Sequence, residues 1–260
     1  MNRNPLHLWC AYPDDLRAEG VTEACAALLS PEEQARWQRL RFDKHRRESL
    51  TTRALARTAL SHYHPIPPKE WSFTANAHGK PVAEPECSLR FNLSNSVGLV
   101  VCLIANQAEV GVDVEAFTRA SEILKLAPDV FSPAEQAQLS ALRGVEKLDR
   151  ALSLWTLKES YIKARGLGLS LPLKAFSFLF GGDEGVRLEV DPSVGDEPGR
   201  WRFCLLDHAA HRIALMVEGP GAGDLEMWEV RPLLATPVRV DAGAEAWFPR
   251  ICGSSPQPSA

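Results

Sequence analysis

Three carboxylates and a lysine between positions 113 and 163 have the types and spacing to act on one substrate. Gly111-Val112-Asp113-Val114-Glu115 reads as a strand, where side chains at i and i+2 share a face, so Asp113 and Glu115 point one way and the two valines the other. Adjacent carboxylates repel unless a cation or basic groups lie between them, and a hard, oxygen-seeking ion such as Mg²⁺ suits such a pair. The other reading is the solvated face of an edge strand. Trp155, Glu159 and Lys163 recur at i, i+4 and i+8 and drift by only about 40° per step, so one helical stripe carries an aromatic, an acid and a base. By itself that stripe is an amphipathic helix with a core Trp and a surface Glu–Lys pair. If the helix packs across the strand, Glu159 adds a third carboxylate to the pair and Lys163 an ammonium.

Three further segments carry polar chemistry. Asn76-Ala-His78-Gly79-Lys80-Pro81 sets a glycine beside a lysine in a loop, where backbone can approach a phosphate or a base. Phe91-Asn92-Leu93-Ser94-Asn95-Ser96 ends a strand with polar side chains suited to anion binding or to a Ser/Asn turn. From Arg36 to Arg57 run Arg36, Arg39, Arg41, Lys44, Arg46, Arg47, Arg53 and Arg57, either a solvated helix face or a surface for phosphate or an acidic protein. Glu135 follows Ser132 by three residues, and capping is sufficient to explain it. His62 and His64 have no acidic or cysteine neighbour in sequence, which argues against zinc.

The elements that must position these groups are legible from caps, periodicity and turn residues. Ser30-Pro31-Glu32-Glu33 opens a helix to about Arg41, and a second runs from Asp43 to about His62, stopped by His64-Pro65-Ile66-Pro67-Pro68. Strands are expected at Leu6–Tyr12, Trp71–Thr74, Leu89–Leu93, Val97–Ala105 and Ala108–Glu115. Helices follow at Ser121–Leu126, Ser132–Leu142 and Val145–Arg165, the last ended by Gly166-Leu-Gly168. Strands return at Phe176–Phe180, Val186–Val190, Trp201–Leu206 and Arg212–Glu218. Each half is thus helix then sheet, an α+β order, with no residue-level repeat visible. The end, Gly-Ser-Ser-Pro-Gln-Pro-Ser-Ala, has the composition of a frayed tail.

Composition excludes several classes. At 260 residues, 45% hydrophobic and 24% charged, the chain is neither collagen-like, disordered nor coiled coil. A formal charge of −4 argues against a protein that coats nucleic acid. The six cysteines include no CxxC pair, so idle thiols in a reducing compartment are expected. No apolar run has the roughly 18–20 residues needed to span a membrane, and the apolar stretch at the N-terminus is too short for a signal peptide, which points to the cytoplasm.

In this order, GKP (79–81), FNLSNS (91–96), GVDVE (111–115), FSPAE (131–135) and WTLKESYIKARGLGL (155–169) resemble the 4′-phosphopantetheinyl transferases of the surfactin-synthetase type. The resemblance spans residues 5–220. It implies a pseudo-twofold pair of similar α+β half-domains with the active site in the cleft between them: 1–110 for coenzyme A phosphate and adenine contacts, 111–230 for metal and catalysis, and 231–260 as an extension ending in a partly disordered tail. The implied reaction moves the phosphopantetheine arm of coenzyme A onto a serine of an apo acyl, peptidyl or aryl carrier protein and releases adenosine 3′,5′-bisphosphate. The implied Mg²⁺ ligands are Asp113, Glu115 and Glu159, with Glu159 also the general base and Lys163 stabilising the leaving phosphate by its charge. The implied coenzyme A contacts are Gly79, Lys80 and Pro81 on the adenine side, Ser94, Asn95 and Arg36 at the 3′-phosphate, and Arg53, Lys158 and Lys163. Where the family has Ser-His-Ser this chain has Ser94-Asn95-Ser96, and asparagine cannot become cationic, so weaker coenzyme A binding is expected. Carrier proteins of this kind are acidic, which gives the basic stretch a docking role as a second reading. With both halves in one chain, a monomer is expected. The competing readings are another Mg²⁺-dependent nucleotide transferase or hydrolase, and a non-catalytic binding module gripping an acidic partner.

Overall fold

Polar residues at helix starts and β-branched runs between turns divide the chain as their local preferences predict. In the computed structural model, which describes residues 6–181, 185–219, 224–231, 233–241 and 246–248, the first half contains β1 (Leu6–Ala11), α1 (Val21–Ala26), α2 (Pro31–Gln38), α3 (Asp43–Ser61), β2 (Ser72–Ala75), β3 (Pro81–Glu84), β4 (Leu89–Ser96) and β5 (Leu99–Asn106). The second contains β6 (Val110–Ala116), α4 (Ala120–Val130), α5 (Pro133–Ser140), α6 (Gly144–Arg165), β7 (Phe176–Phe180), β8 (Val186–Val190), β9 (Trp201–His208) and β10 (His211–Glu218). Three strands follow, β11 (Leu225–Val230), β12 (Val238–Val240) and β13 (Ala246–Phe248). Both expected capping boxes form: Ser30 and Ser132 accept from the N–H of Glu33 and Glu135, whose carboxylates return to the serine N–H.

Alternation then stacks these elements in four layers. One sheet has the order β12-β11-β1-β5-β4 and the other β13-β9-β10-β6. Trp9, Val100, Cys102 and Ile104 cover one face of the first sheet and pack on Leu50, Ala54 and Leu55 of α3. The opposite face, with Leu8, Val101 and Leu103, meets Val112, Val114, Ile213 and Leu215 of the second sheet. Ala214 and Met216 on that sheet's far face pack on Leu154, Leu157 and Tyr161 of α6. The result is helix, sheet, sheet, helix, one helix-on-sheet unit against another, in accord with the expected pair of α+β halves.

Three expectations need correction. The FNLSNS segment is strand up to Ser96, and the turn falls on Val97-Gly98, where glycine adopts φ +85°. Helix α1 and strand β3 were not anticipated. Residues 225–230, expected in the second half, and 238–240, expected in the extension, instead extend the first half's sheet: β11 pairs in parallel with β1, placing Leu225 and Met227 in the inter-sheet core beside Leu6 and Leu8. Without that return β1 would be a bare sheet edge. The expected frayed tail and Cys252 lie outside the described residues. Cys10, Cys25, Cys87 and Cys102 are free thiols.

Candidate active site

Gly111 lets α6 lie directly on β6. A Cβ there would stand 2.0 Å from the Ser160 carbonyl oxygen and 2.4 Å from the Ala164 nitrogen, so only glycine admits the helix backbone at this spacing. Val112 and Val114 fill the inter-sheet core, which turns Asp113 and Glu115 to the other face, towards α6. The two carboxylates are buried, at the edge of their sheet. They are therefore not a solvated strand face.

The polar residues of β4 hold that edge. Asn92 Oδ1 accepts from Val112 N at 2.9 Å, Ser94 Oγ from Val114 N at 3.3 Å and Ser96 Oγ from Ala116 N at 3.1 Å. Each serine hydroxyl then donates to a carboxylate: Ser94 to Asp113 Oδ1 at 2.9 Å and Ser96 to Glu115 Oε2 at 3.2 Å. A cation completes each pairing. Lys163 Nζ stands 2.6 Å from Asp113 Oδ1 and 2.8 Å from Ser94 Oγ, while Arg119 Nη1 stands 2.7 and 2.9 Å from the two oxygens of Glu115. Trp155 Nε1 also donates to Glu115, at 3.0 Å.

Glu159 lies on the same stripe of α6, half-buried, and accepts no hydrogen bond from the described residues. Its pKa is raised above the usual carboxylate value, first by burial and then by the charge of Asp113, with Lys163 opposing. The Glu115 pKa is raised as well, by burial and then Asp113, with Arg119 and Trp155 opposing. Three acids in one electrostatic field call for more positive charge than Lys163 and Arg119 supply. Asp113 Oδ2 is buried without a hydrogen-bond partner, an open acceptor inside the cluster. All the donors are hard carboxylate oxygens, so the residues present fit Mg²⁺. Among the described residues no three acids, histidines or cysteines are already gathered at ligand distance of one point, and two of the three carboxylates are each paired with a cation.

The glycine–lysine loop adjoins this cluster. Asn76 Nδ2 donates to Gly166 O at 2.9 Å, and its Oδ1 accepts from the N–H groups of His78 and Lys80. Lys80 Nζ reaches Glu109 at 2.6 Å, Ala164 O at 2.9 Å and Val110 O at 3.1 Å, so it fastens the loop to the end of α6 and the start of β6. Its ammonium is engaged within the protein, and its side chain also lines the neighbouring cleft. Gly79 and Pro81 line a cleft of about 220 Å³ with His78, Asn92, Lys163 and Gly166. That cleft opens beside the carboxylates.

Other expected contacts are distributed differently. Ser94 and Asn95 lie on opposite faces of β4: Ser94 is buried among Val114, Asp113 and Lys163, while Asn95 is exposed on the α3 side. Arg36 is exposed on α2, and Arg53 pairs loosely with Glu33 at 3.5 Å; neither bonds to the carboxylate cluster. Arg57, within the basic stretch, is buried and fixes α2 to α3 through Glu33 at 2.6 Å. Lys158 is corrected outright. It is 0% exposed, pairs with the equally buried Glu135 at 2.8 Å and donates to Phe176 O at 2.7 Å, because one residue along a helix turns about 100° away from Glu159. It meets no ligand surface. Glu135 caps Ser132, accepts from Phe178 N at 2.8 Å and neutralises Lys158, a structural role.

Sequence reasoning passed over Arg119 and read Asn92 and Ser96 as anion-binding or turn residues, not as partners of β6. The signal for Arg119 was its i+4 spacing from Glu115; for the β4 residues it was the even spacing of polar side chains opposite a carboxylate strand.

Comparison with known proteins gives two family matches that divide the chain. Residues 18–108 match the model described as 4′-phosphopantetheinyl transferase, N-terminal, and residues 109–216 the 4′-phosphopantetheinyl transferase superfamily. The chain is 32% identical over 191 residues to the 4′-phosphopantetheinyl transferase HetI of Nostoc sp. (strain PCC 7120), covering 72% of this chain and 79% of that one. It is 29% identical over 188 residues to the 4′-phosphopantetheinyl transferase Sfp of Bacillus subtilis (strain 168), covering 72% and 83%. Among solved structures, a holo-(acyl-carrier-protein) synthase from Bacillus anthracis in complex with CoA (3′,5′-ADP) matches with a TM-score of 0.35 and 18% identity, over 42% of this chain and 94% of that one.

Proposed function

The chain belongs to the 4′-phosphopantetheinyl transferase family, and from that premise we propose that Asp113, Glu115 and Glu159 hold Mg²⁺ at the end of the glycine–lysine cleft, where this chain carries out the transfer. The reaction moves the phosphopantetheine arm of coenzyme A to a serine of an apo acyl, peptidyl or aryl carrier protein. The observation that carries the assignment of the site is the meeting of β6 and α6, which sets three acids and Lys163 in one buried cluster beside that cleft. Bound there, Mg²⁺ would neutralise charge on the pyrophosphate oxygens as the phosphoanhydride breaks.

Glu159 has the open carboxylate of the three. It accepts the proton of the carrier serine hydroxyl as that oxygen attacks the phosphorus bearing the pantetheine arm. The other product, adenosine 3′,5′-bisphosphate, leaves with the bridging oxygen and its electron pair, next to the fixed charge of Lys163. Ser94 holds Lys163 and Asp113 together, which keeps that charge in place before substrate arrives. Gly79 and Pro81 offer a small-residue wall for the adenine, and the family resemblance assigns Asn95 and the exposed Arg36, with Arg53, to the 3′-phosphate. The enzyme is proposed to work as a cytoplasmic monomer. No helix among the described residues is long and apolar enough to cross a membrane.

The test is direct. Incubated with Mg²⁺, coenzyme A and an apo carrier protein, the enzyme adds one phosphopantetheinyl mass to the carrier, and Glu159→Gln slows the addition by about 10²–10⁴-fold while folding normally. Absence of the added mass defeats the assignment, as does a Glu159→Gln variant of parental rate.

A further inference from the structure

Each strand carboxylate of the site is held by one hydroxyl and one cation, but the two cations are differently tethered. Lys163 rises from the last turn of α6, where the helix backbone lies directly on Gly111 of β6, is 26% exposed, and takes only Oδ1 of Asp113, so Oδ2 remains open. Arg119 comes from the short turn after β6, is 38% exposed, and lies across both oxygens of Glu115 through one nitrogen. Its Nε also stands 3.7 Å from Glu122, an acid that is 68% exposed at the start of α4. With Ser96 on Oε2 and Trp155 on Oε1, Glu115 has no oxygen left to give while Arg119 is in place.

From this arrangement, and resting on the metal assignment above, we infer that Arg119 is a resident counter-charge that competes with the divalent cation for Glu115 in the coenzyme A-free enzyme. Asp113 Oδ2 and Glu159 receive the ion first. Glu115 joins when the guanidinium swings away, and Glu122 is the acid beside its path. Departure is favoured only when the cation brings more charge than one arginine supplies at that carboxylate, and the coenzyme A pyrophosphate, by fixing the cation from its other side, tips that balance. Metal affinity is thereby coupled to coenzyme A. Lys163 cannot play this part, because Asp113 keeps one oxygen free with Lys163 bound.

The test uses Mn²⁺ alone as probe, its free ion counted by electron paramagnetic resonance in solutions of the intact protein without coenzyme A, then with it. Arg119→Ala is expected to bind Mn²⁺ about fivefold more tightly than the parent without coenzyme A, the scale of a half-exposed ion pair. The tightening caused by coenzyme A is expected to shrink by the same factor. Arg119→Lys, which retains the charge, stays near the parent, and melting in the presence of EDTA verifies that each variant is folded. Unchanged or weaker Mn²⁺ binding by a folded Arg119→Ala overturns the inference, weaker binding meaning that Arg119 positions Glu115 for the ion instead. Asp113→Asn separates the two levels. Parental binding that Asp113→Asn abolishes and Arg119→Ala leaves unchanged overturns this inference alone, whereas no binding by the parent even with coenzyme A overturns the metal assignment as well.

Discussion

Replacing Gly111 with alanine tests whether the spacing between β6 and α6 is what builds the site. The added Cβ would meet the Ser160 carbonyl oxygen at 2.0 Å, the Ala164 nitrogen at 2.4 Å and the Ala164 Cα at 2.9 Å, all helix backbone. Relief to the shortest separation that real Cβ atoms show, 3.0 Å, requires α6 to retreat by about 1 Å at that turn. Lys163 and Glu159 ride on the same turns, so the 2.6 Å contact between Lys163 and Asp113 must open. Overpacking of this kind costs about 1–3 kcal/mol, which for a chain of this size lowers Tm by about 2–12 °C. A displacement of about 1 Å at a reacting centre costs roughly 10²-fold in rate. Both are measurable, the first by calorimetry and the second as kcat/KM for loading of an apo carrier protein. Gly199→Ala is the control, since its Cβ meets nothing within 4 Å and its φ is not in the left-handed region. A Gly111→Ala enzyme with depressed Tm and kcat/KM within twofold of the parent would refute the reasoning, because the spacing would then serve stability alone.

Lys158→Met leaves the Glu135 carboxylate buried without its counter-charge and should cost about 3–5 kcal/mol in denaturant unfolding, while kcat/KM of the folded enzyme stays within a few-fold of the parent. A selective rise in the KM for coenzyme A would restore the ligand contact that burial argues against. Asn92→Ala orphans the Val112 N–H and should cost about 1–3 kcal/mol. Burial opposes ionisation of Asp196, but hydrogen bonds from Tyr161 and Trp201 and the charge of Arg165 outweigh it, and its pKa falls below the usual value. Its contribution to stability is therefore full above the unfolded value near 3.8 and is lost as pH falls through the lower folded value, so the deficit of Asp196→Asn in urea unfolding should be constant near neutrality and shrink only in acid. Asn95→His, at an exposed position, should preserve or strengthen coenzyme A binding measured by calorimetry, and clear weakening would remove Asn95 from the phosphate contacts.

What the sequence made legible was local, and what it hid was not. The capping serines, the stop of α6 at Gly166 and the shared face of Asp113 and Glu115 each follow from residues within one turn or one strand of one another. The parallel pairing of Leu6 with Leu225 and Met227 with Leu8 joins chain segments at opposite ends, and no periodicity in either announces the other. Ser94 was read through its neighbours as an anion-binding or turn residue, yet its partners are Val114, Asp113 and Lys163. Lys158 is the opposite case. Helical geometry already separates it from the stripe of Trp155, Glu159 and Lys163, and only the family resemblance had placed it at the ligand.

The constant offset of twenty residues in the pairs Asn92–Val112, Ser94–Val114 and Ser96–Ala116 explains why site and interface are one structure. An edge strand exposes every second N–H, and β6 is the edge of its sheet. A neighbouring strand of the first sheet does not pair with it backbone to backbone but answers with side chains at the same two-residue period. Because alternate residues of β6 face the two sides, the N–H groups of Val112, Val114 and Ala116 and the carboxylates of Asp113 and Glu115 are presented to the same polar row. A serine can serve both, accepting from an N–H and donating to a carboxylate, whereas an asparagine at the first step serves the backbone only. Disturbing Ser94 or Ser96 therefore loosens the two halves and the carboxylates together, while disturbing Asn92 loosens the halves at a point the acids do not touch.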